Sequence, residues 1–221
     1  MQVASSNNKQ TIEVGWRRSA RTATSRTAYA QQRGSMKIIV DIGHARKTGA
    51  EGNGLEEHEV SCVVAGYLVE ELGKLGHEVL VLDFPRMSNA ADLNETIKAA
   101  NASGYKAGVS LHCDSASKMV GGKEVLNSEP HGAHVCFYPS SVKGARLASA
   151  VADELCVLLP GRANKVQGRA NLAILRKTKM PFVLCECGFI SNPEDAEVMR
   201  RRPKEIAEAI AKGVDAYARG K

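Results

Sequence analysis

The stretch Pro181-Phe182-Val183-Leu184-Cys185-Glu186-Cys187-Gly188 most restricts what this chain can fold into, because an apolar run bounded by proline and glycine carries a single acid, Glu186, near its end. Its β-prone residues at 182–184 predict a buried strand. A carboxylate delivered by such a strand must meet a cation, a donor or a reaction, since burying it bare is costly. Two other runs share the design: Ile38-Ile39-Val40-Asp41-Ile42-Gly43-His44 and Ala107-Gly108-Val109-Ser110-Leu111-His112 each end in a histidine. Strands covered by helices on both faces are continuously hydrophobic and carry ligand sites beyond their carboxyl ends, so His44, His112 and Glu186 are expected at one rim of one sheet. Two imidazoles and a carboxylate there point to a metal.

The fold class expected is α/β: a single domain with a mostly parallel, mixed, twisted sheet of about six strands flanked by helices on both faces. A chain of 221 residues, 43% hydrophobic, suits one such domain plus an appendage. The division expected is a disordered basic extension over residues 1–35 and a folded domain over residues 36–221. The extension holds Lys9, Arg17, Arg18, Arg21, Arg26 and Arg33 against Glu13, so most of the chain's net charge of +6 lies there. Its composition resembles an organelle transit peptide or a nucleic-acid-binding arm, and the simpler reading is an upstream extension before Met36. Without an apolar core it does not read as a secretory signal. The near-neutral remainder lacks the basic footprint that phosphate contacts need, which argues against a nucleic-acid partner. No run approaches the roughly 18 uninterrupted apolar residues of a membrane span, so a soluble protein without a membrane partner is expected; a monomer is expected as well.

The cysteines at 62, 113, 136, 156, 185 and 187 include no Cys-x-x-Cys pair and mostly fall in apolar segments. Buried free thiols are expected rather than a disulfide framework. Strand alternation puts Cys185 and Cys187 on the face opposite Glu186.

In chain order, a first strand over Met36–Ile42 leads to a glycine-containing loop that matches neither the dinucleotide nor the P-loop pattern. A helix follows from about Glu57, with Val60, Val63, Val64, Tyr67, Leu68, Leu72 and Leu75 as its expected buried stripe. Glu56, Glu57 and Glu59 crowd its first turn, where acids complement the helix dipole. His58-Glu59-Val60-Ser61-Cys62 resembles the His-Glu-x-x-His zinc motif but has cysteine in fifth place; on a helix whose stripe contains Val60 and Val63, His58 is expected to lie on the surface. Glu78–Asp83 reads as a second strand, and Ser88 or Asn89 caps a helix running to about Ser103. Residues 117–131 read as a long loop, Gly132–Tyr138 as a strand, and 142–159 as a helix that buries Val142. Gly161–Ala170 reads as a basic loop and Leu172–Leu175 as a short strand or turn. Asn192-Pro193-Glu194-Asp195 opens a helix, and a last helix starts near Pro203.

Val40-Asp41-Ile42-Gly43-His44, the loop leading to Glu57, Val109-Ser110-Leu111-His112-Cys113-Asp114 and Leu184-Cys185-Glu186-Cys187-Gly188-Phe189-Ile190-Ser191-Asn192 together resemble the zinc-dependent N-acetylmuramoyl-L-alanine amidases of the type 3 family. The resemblance runs in order from about Met36 to the last helix. It implies that one Zn²⁺ is held by His44, Glu57 and His112 and that Glu186 is the catalytic acid/base. Glu57 is chosen because the family's ligand opens the helix after the glycine loop; Glu56 and Glu59 stay open as alternatives. The chain departs from the family pattern at Ala45, Thr96, Asp114 and His134, where glycine, arginine, asparagine and glutamate are common.

The activity implied is hydrolysis of the amide between N-acetylmuramic acid and L-alanine in peptidoglycan, by metal-activated water with a glutamate acid/base. The alternatives are another zinc peptidoglycan hydrolase, an endopeptidase or a deacetylase, and a non-catalytic peptidoglycan-binding protein on an amidase-like scaffold. Such an enzyme acts at the cell wall; with no recognisable signal peptide, a phage or prophage lysin or export by another route is expected.

Overall fold

The computed structural model describes residues 34–220, so the disordered extension expected over residues 1–35 lies almost wholly outside the described residues. β1 (Lys37–Ile42), β2 (Glu51–Gly52) and β3 (Leu55–Glu56) lead into α1 (Glu57–Lys74); β4 (Glu78–Leu82) precedes α2 (Asn89–Ser103). β5 (Ala107–Asp114) runs into the pair β6 (Ser117–Val120) and β7 (Lys123–Leu126), and β8 (His134–Phe137) into α3 (Val142–Leu158). β9 (Val166–Gly168) and α4 (Ala173–Lys177) precede β10 (Phe182–Phe189), after which come α5 (Pro193–Arg201) and α6 (Pro203–Ala218).

Six strands form one sheet in the order β4-β1-β5-β10-β8-β9. Every neighbouring pair is parallel except β10 with β8. From β1 the chain passes through α1 to β4 on one side, then through α2 to β5 on the other. The carboxyl ends of β1 and β5 therefore flank a switch point, where open α/β sheets form crevices.

Alternation along the strands sorts the sheet into two unlike faces. Ile38, Val40 and Ile42 of β1, Val109 and Leu111 of β5, and Val183, Cys185 and Cys187 of β10 face a large apolar core against α1, α3 and α6. Ile39, Phe182 and Leu184 face a smaller core with Ile97 and Ala100 of α2 and Ile174 and Leu175 of α4. On that second face, toward the carboxyl ends, Asp41, Ser110, His112 and Glu186 line a pocket.

Capping explains where the site-bearing helices begin. The Glu56 carboxylate accepts from the His58 N–H to open α1, and Ser88 Oγ accepts from the Ala91 N–H to open α2. Asn192 Oδ1 accepts from the Glu194 and Asp195 N–H groups, with Pro193 in the first turn of α5.

Several local expectations are corrected. The buried stripe of α1 is narrower than expected, running through Val60, Val64, Leu68 and Leu72, while Val63 is 51% and Tyr67 36% exposed. Val142, 76% exposed, is the first residue of α3 and projects before the helix reaches the sheet. The 117–131 segment contains the β6–β7 hairpin, turned at Gly121-Gly122 with φ of 57° and 79°. Within 161–170, β9 adds a parallel edge strand to β8. Residues 173–177 form α4, not a strand. No helix among the described residues is long and apolar enough to cross a membrane.

Candidate functional site

His44 lies just beyond β1 with φ of 62°, a left-handed conformation uncommon outside glycine. Its Nδ1 is 3.1 Å from Asn89 Oδ1 at the start of α2, which holds the ring over the crevice. Gly43 makes the next contact feasible: a Cβ there would stand 2.4 Å from the His112 ring. With no side chain in the way, the His44 and His112 rings meet edge to face, centroids 4.9 Å apart.

Glu57, the first residue of α1, is 3% exposed and turned inward between these rings. Its Oε1 lies 3.0 Å from His112 Nδ1 and accepts from the Cys113 N–H at 3.0 Å. Its Oε2 accepts from the Ala50 N–H at 2.7 Å and lies 3.5 Å from His44 Nε2. A Cβ on Gly49 would stand 2.7 Å from that same oxygen. One donor atom from each of His44, Glu57 and His112 lies within 4.8 Å of the others. The two acids left open beside Glu57 go elsewhere: Glu56 caps α1 and accepts from the Lys47 N–H, and Glu59 is exposed.

The three groups are electrically coupled. Burial pushes the Glu57 carboxyl up, but the His112 hydrogen bond and both imidazole charges outweigh it and hold the carboxyl below its ordinary range. Burial pushes His112 down, and Glu57 and Glu186 overcome that, raising it to about 9. At His44 burial dominates and lowers the imidazole, Glu57 opposing.

Glu186 stands opposite His112 in the parallel register of β10 and β5, and opposite His134 in the antiparallel register of β10 and β8. Burial raises its carboxyl to about 7, with His112 pulling down and Asp114 and Glu57 pushing up. Its Oε2 is buried without a hydrogen-bond partner. His134, a departure from the family pattern, is also buried, with Nδ1 unpartnered and Nε2 3.9 Å from Asp114. Burial, with the Arg162 and Arg169 charges, lowers it to about 4.

The pocket between His44, His112 and Glu186 has a volume of about 260 Å³, walled on its apolar side by Leu93, Leu172 and Ile174. Beneath it Asp41 accepts from Ser110 Oγ at 2.5 Å and Thr96 Oγ1 at 3.2 Å. Asp92 lines the same pocket; burial and the Asp41 charge raise it to about 6.

Sequence reasoning did not single out Asn89, Asp92 or the backbone donors of Ala50 and Cys113. Asn89 read as a capping candidate, and its second role depends on a tertiary contact with His44. Asp195, read only as a helix-opening acid, accepts from the Gly132 and Phe189 N–H groups and fixes the turn after β10. His58 is corrected outright: it is 3% exposed, with Nε2 3.1 Å from Asp83 Oδ1.

A family model described as N-acetylmuramoyl-L-alanine amidase matches residues 38–216. The uncharacterized protein YqiI of Bacillus subtilis is 28% identical over 81% of this chain and 84% of its own length. The probable cell wall amidase LytH of Staphylococcus saprophyticus is 28% identical over 98% of this chain and 70% of its own. In structure, the chain resembles the CwlD amidase from Clostridioides difficile, solved with the GerS lipoprotein: TM-score 0.72 and 21% identity over 85% of this chain and 100% of that one. That likeness bears on the fold.

Proposed function

The chain belongs to the N-acetylmuramoyl-L-alanine amidase family, and from that premise we propose that residues 36–221 form a zinc-dependent catalytic domain that cleaves the bond between N-acetylmuramic acid and L-alanine in peptidoglycan. The observation that carries this reading is the convergence of His44, Glu57 and His112 at one sheet rim beside the buried, unpartnered Glu186.

The residues fit zinc. Two imidazoles and one carboxylate are an attested catalytic ligand set, and Gly43 and Gly49 leave clear the space that side chains would fill. His44, Glu57 and His112 would hold the ion, with the Ala50 and Cys113 N–H groups orienting the Glu57 carboxylate. Zinc bound there supplies Lewis acidity, polarising a carbonyl and bringing the pKa of water from ~16 toward ~7.

Glu186 does the proton work. A carboxyl near 7 is divided between its two forms at neutral pH, which suits a group that must both accept and donate. It takes a proton from the attacking water and gives one to the departing amine as the C–N bond breaks, leaving a lactyl carboxylate and a free L-alanine amine. His134 flanks it as a neutral, buried imidazole and adds no competing charge. All four residues come from one chain, so a monomer suffices. The place of action is the cell wall.

Mass spectrometry of purified peptidoglycan digested by the zinc-loaded and the chelated protein tests this. Stem peptides with a free L-alanine amino terminus, released only by the zinc form, are the expected result. Cleavage between amino acids, or loss of acetyl groups, would replace this reading with an endopeptidase or a deacetylase.

A further inference from the structure

The His58-Glu59-Val60-Ser61-Cys62 motif leaves two residues that the proposed amidase chemistry does not use. On a helix, positions four apart share a face, which is how the His-Glu-x-x-His motif places two ligands on one ion. Here His58 and Cys62 are that pair, and the third member is Asp83, immediately beyond β4. His58 Nε2 lies 3.1 Å from Asp83 Oδ1 and 3.7 Å from Cys62 Sγ. One donor atom from each lies within 4.8 Å of the others.

We infer that His58, Cys62 and Asp83 form a second metal site, separate from the His44–Glu57–His112 centre, that takes a borderline-soft divalent ion such as zinc. Tetrahedral bonds of about 2.0–2.3 Å put neighbouring donor atoms roughly 3.3–3.7 Å apart; the 3.7 Å between His58 Nε2 and Cys62 Sγ falls in that range, and the 3.1 Å between His58 Nε2 and Asp83 Oδ1, an ion-pair distance, has to open slightly to admit an ion. Cys62 is also the one cysteine that is not buried. It lines a surface groove of about 490 Å³ with His58, Arg46, Glu59 and Arg86, which leaves the fourth coordination position to solvent. Burial, with the Asp83 and Glu56 charges, pushes the thiol up to about 11. Binding therefore releases the thiol proton to solvent as the metal–sulfur bond forms.

The site has a structural consequence. Glu57 and His58 are consecutive in the first turn of α1 and turn to different strands, Glu57 to His112 on β5 and His58 to Asp83 after β4. An ion at the second site ties that turn to the end of β4 and so holds Glu57 in place.

Cobalt titration of the chelator-stripped full-length chain, followed by absorbance and elemental analysis, separates the two sites, because only the second has a sulfur ligand. The expected result is two cobalt ions per chain, one of them giving a thiolate-to-cobalt charge-transfer band. Cys62→Ser removes the band and one ion. Asp83→Asn weakens band formation by roughly tenfold or more. His44→Ala loses the other ion and keeps the band. A wild-type chain without the band at saturating cobalt, or a band that survives in Cys62→Ser, overturns the inference. A single ion that carries the band would support the second site and instead count against the zinc reading of the first.

Discussion

The two faces of the sheet differ in what their side chains are for. Against α1, α3 and α6, every inward residue of β1, β5 and β10 is apolar, and Leu68, Leu111, Leu155 and Ile210 have no solvent exposure. Against α2 and α4, the strands begin apolar at Ile39, Phe182 and Leu184 and turn polar at Asp41, Ser110, His112 and Glu186. The first face is covered by three long helices, the second by one long helix and the five residues of α4. The thinner cover leaves the pocket open, so one sheet separates a stabilising side from a reactive one. A period of two along each strand is enough to do it.

The comparison breaks at its strongest point if the polar face can be emptied without losing function. His112→Ala is expected to cut turnover by at least ~10³-fold, the several kcal/mol that a lost Lewis acid costs, read as kcat on purified peptidoglycan. The same truncation on the other face should act on stability instead. Leu155→Ala is expected to cost about 3 kcal/mol in urea unfolding, with kcat of the folded protein within about twofold of wild type.

Acid should find the polar face first. Because the folded His134 titrates near 4 and an unfolded histidine near 6.5, the unfolded chain binds the extra proton between those values. The histidine's contribution is therefore complete above 6.5 and is lost as pH falls toward 4, by at most ~3 kcal/mol. Comparing urea midpoints of wild type and His134→Gln at pH 7 and 4.5 isolates this from the nearby carboxylates; equal slopes would refute it. The smallest effect is expected at Ser110→Ala, which leaves a buried Asp41 oxygen short of one donor and should cost about 1–2 kcal/mol in the same assay.

Much of the polar face was legible because each strand announces itself with an apolar run that ends in a chemical group. His44, His112 and Glu186 could be placed at one rim from that pattern alone. Glu57 could not: three acids crowd one helical turn, the family resemblance favours Glu57 while leaving Glu56 and Glu59 open, and the tertiary contacts with Ala50, Cys113 and both histidines tell it from Glu56, a cap, and Glu59, a surface residue. His58 misled for a similar reason. Its neighbours Val60 and Val63 suggested a stripe that excluded it, yet its ring is buried with Nε2 3.1 Å from Asp83 Oδ1, a tertiary contact that helical periodicity does not reveal. The short elements β9 and α4 were illegible because three or five residues are too few to establish a period.

The proposed division of labour on the polar face, three residues for the metal and one for the proton, is tested most directly by measuring zinc content and turnover together in Glu186→Gln. Zinc bound as in wild type, with turnover lowered by roughly 10²–10⁴-fold, is the predicted result. Loss of zinc in that variant would make Glu186 a ligand and contradict the account.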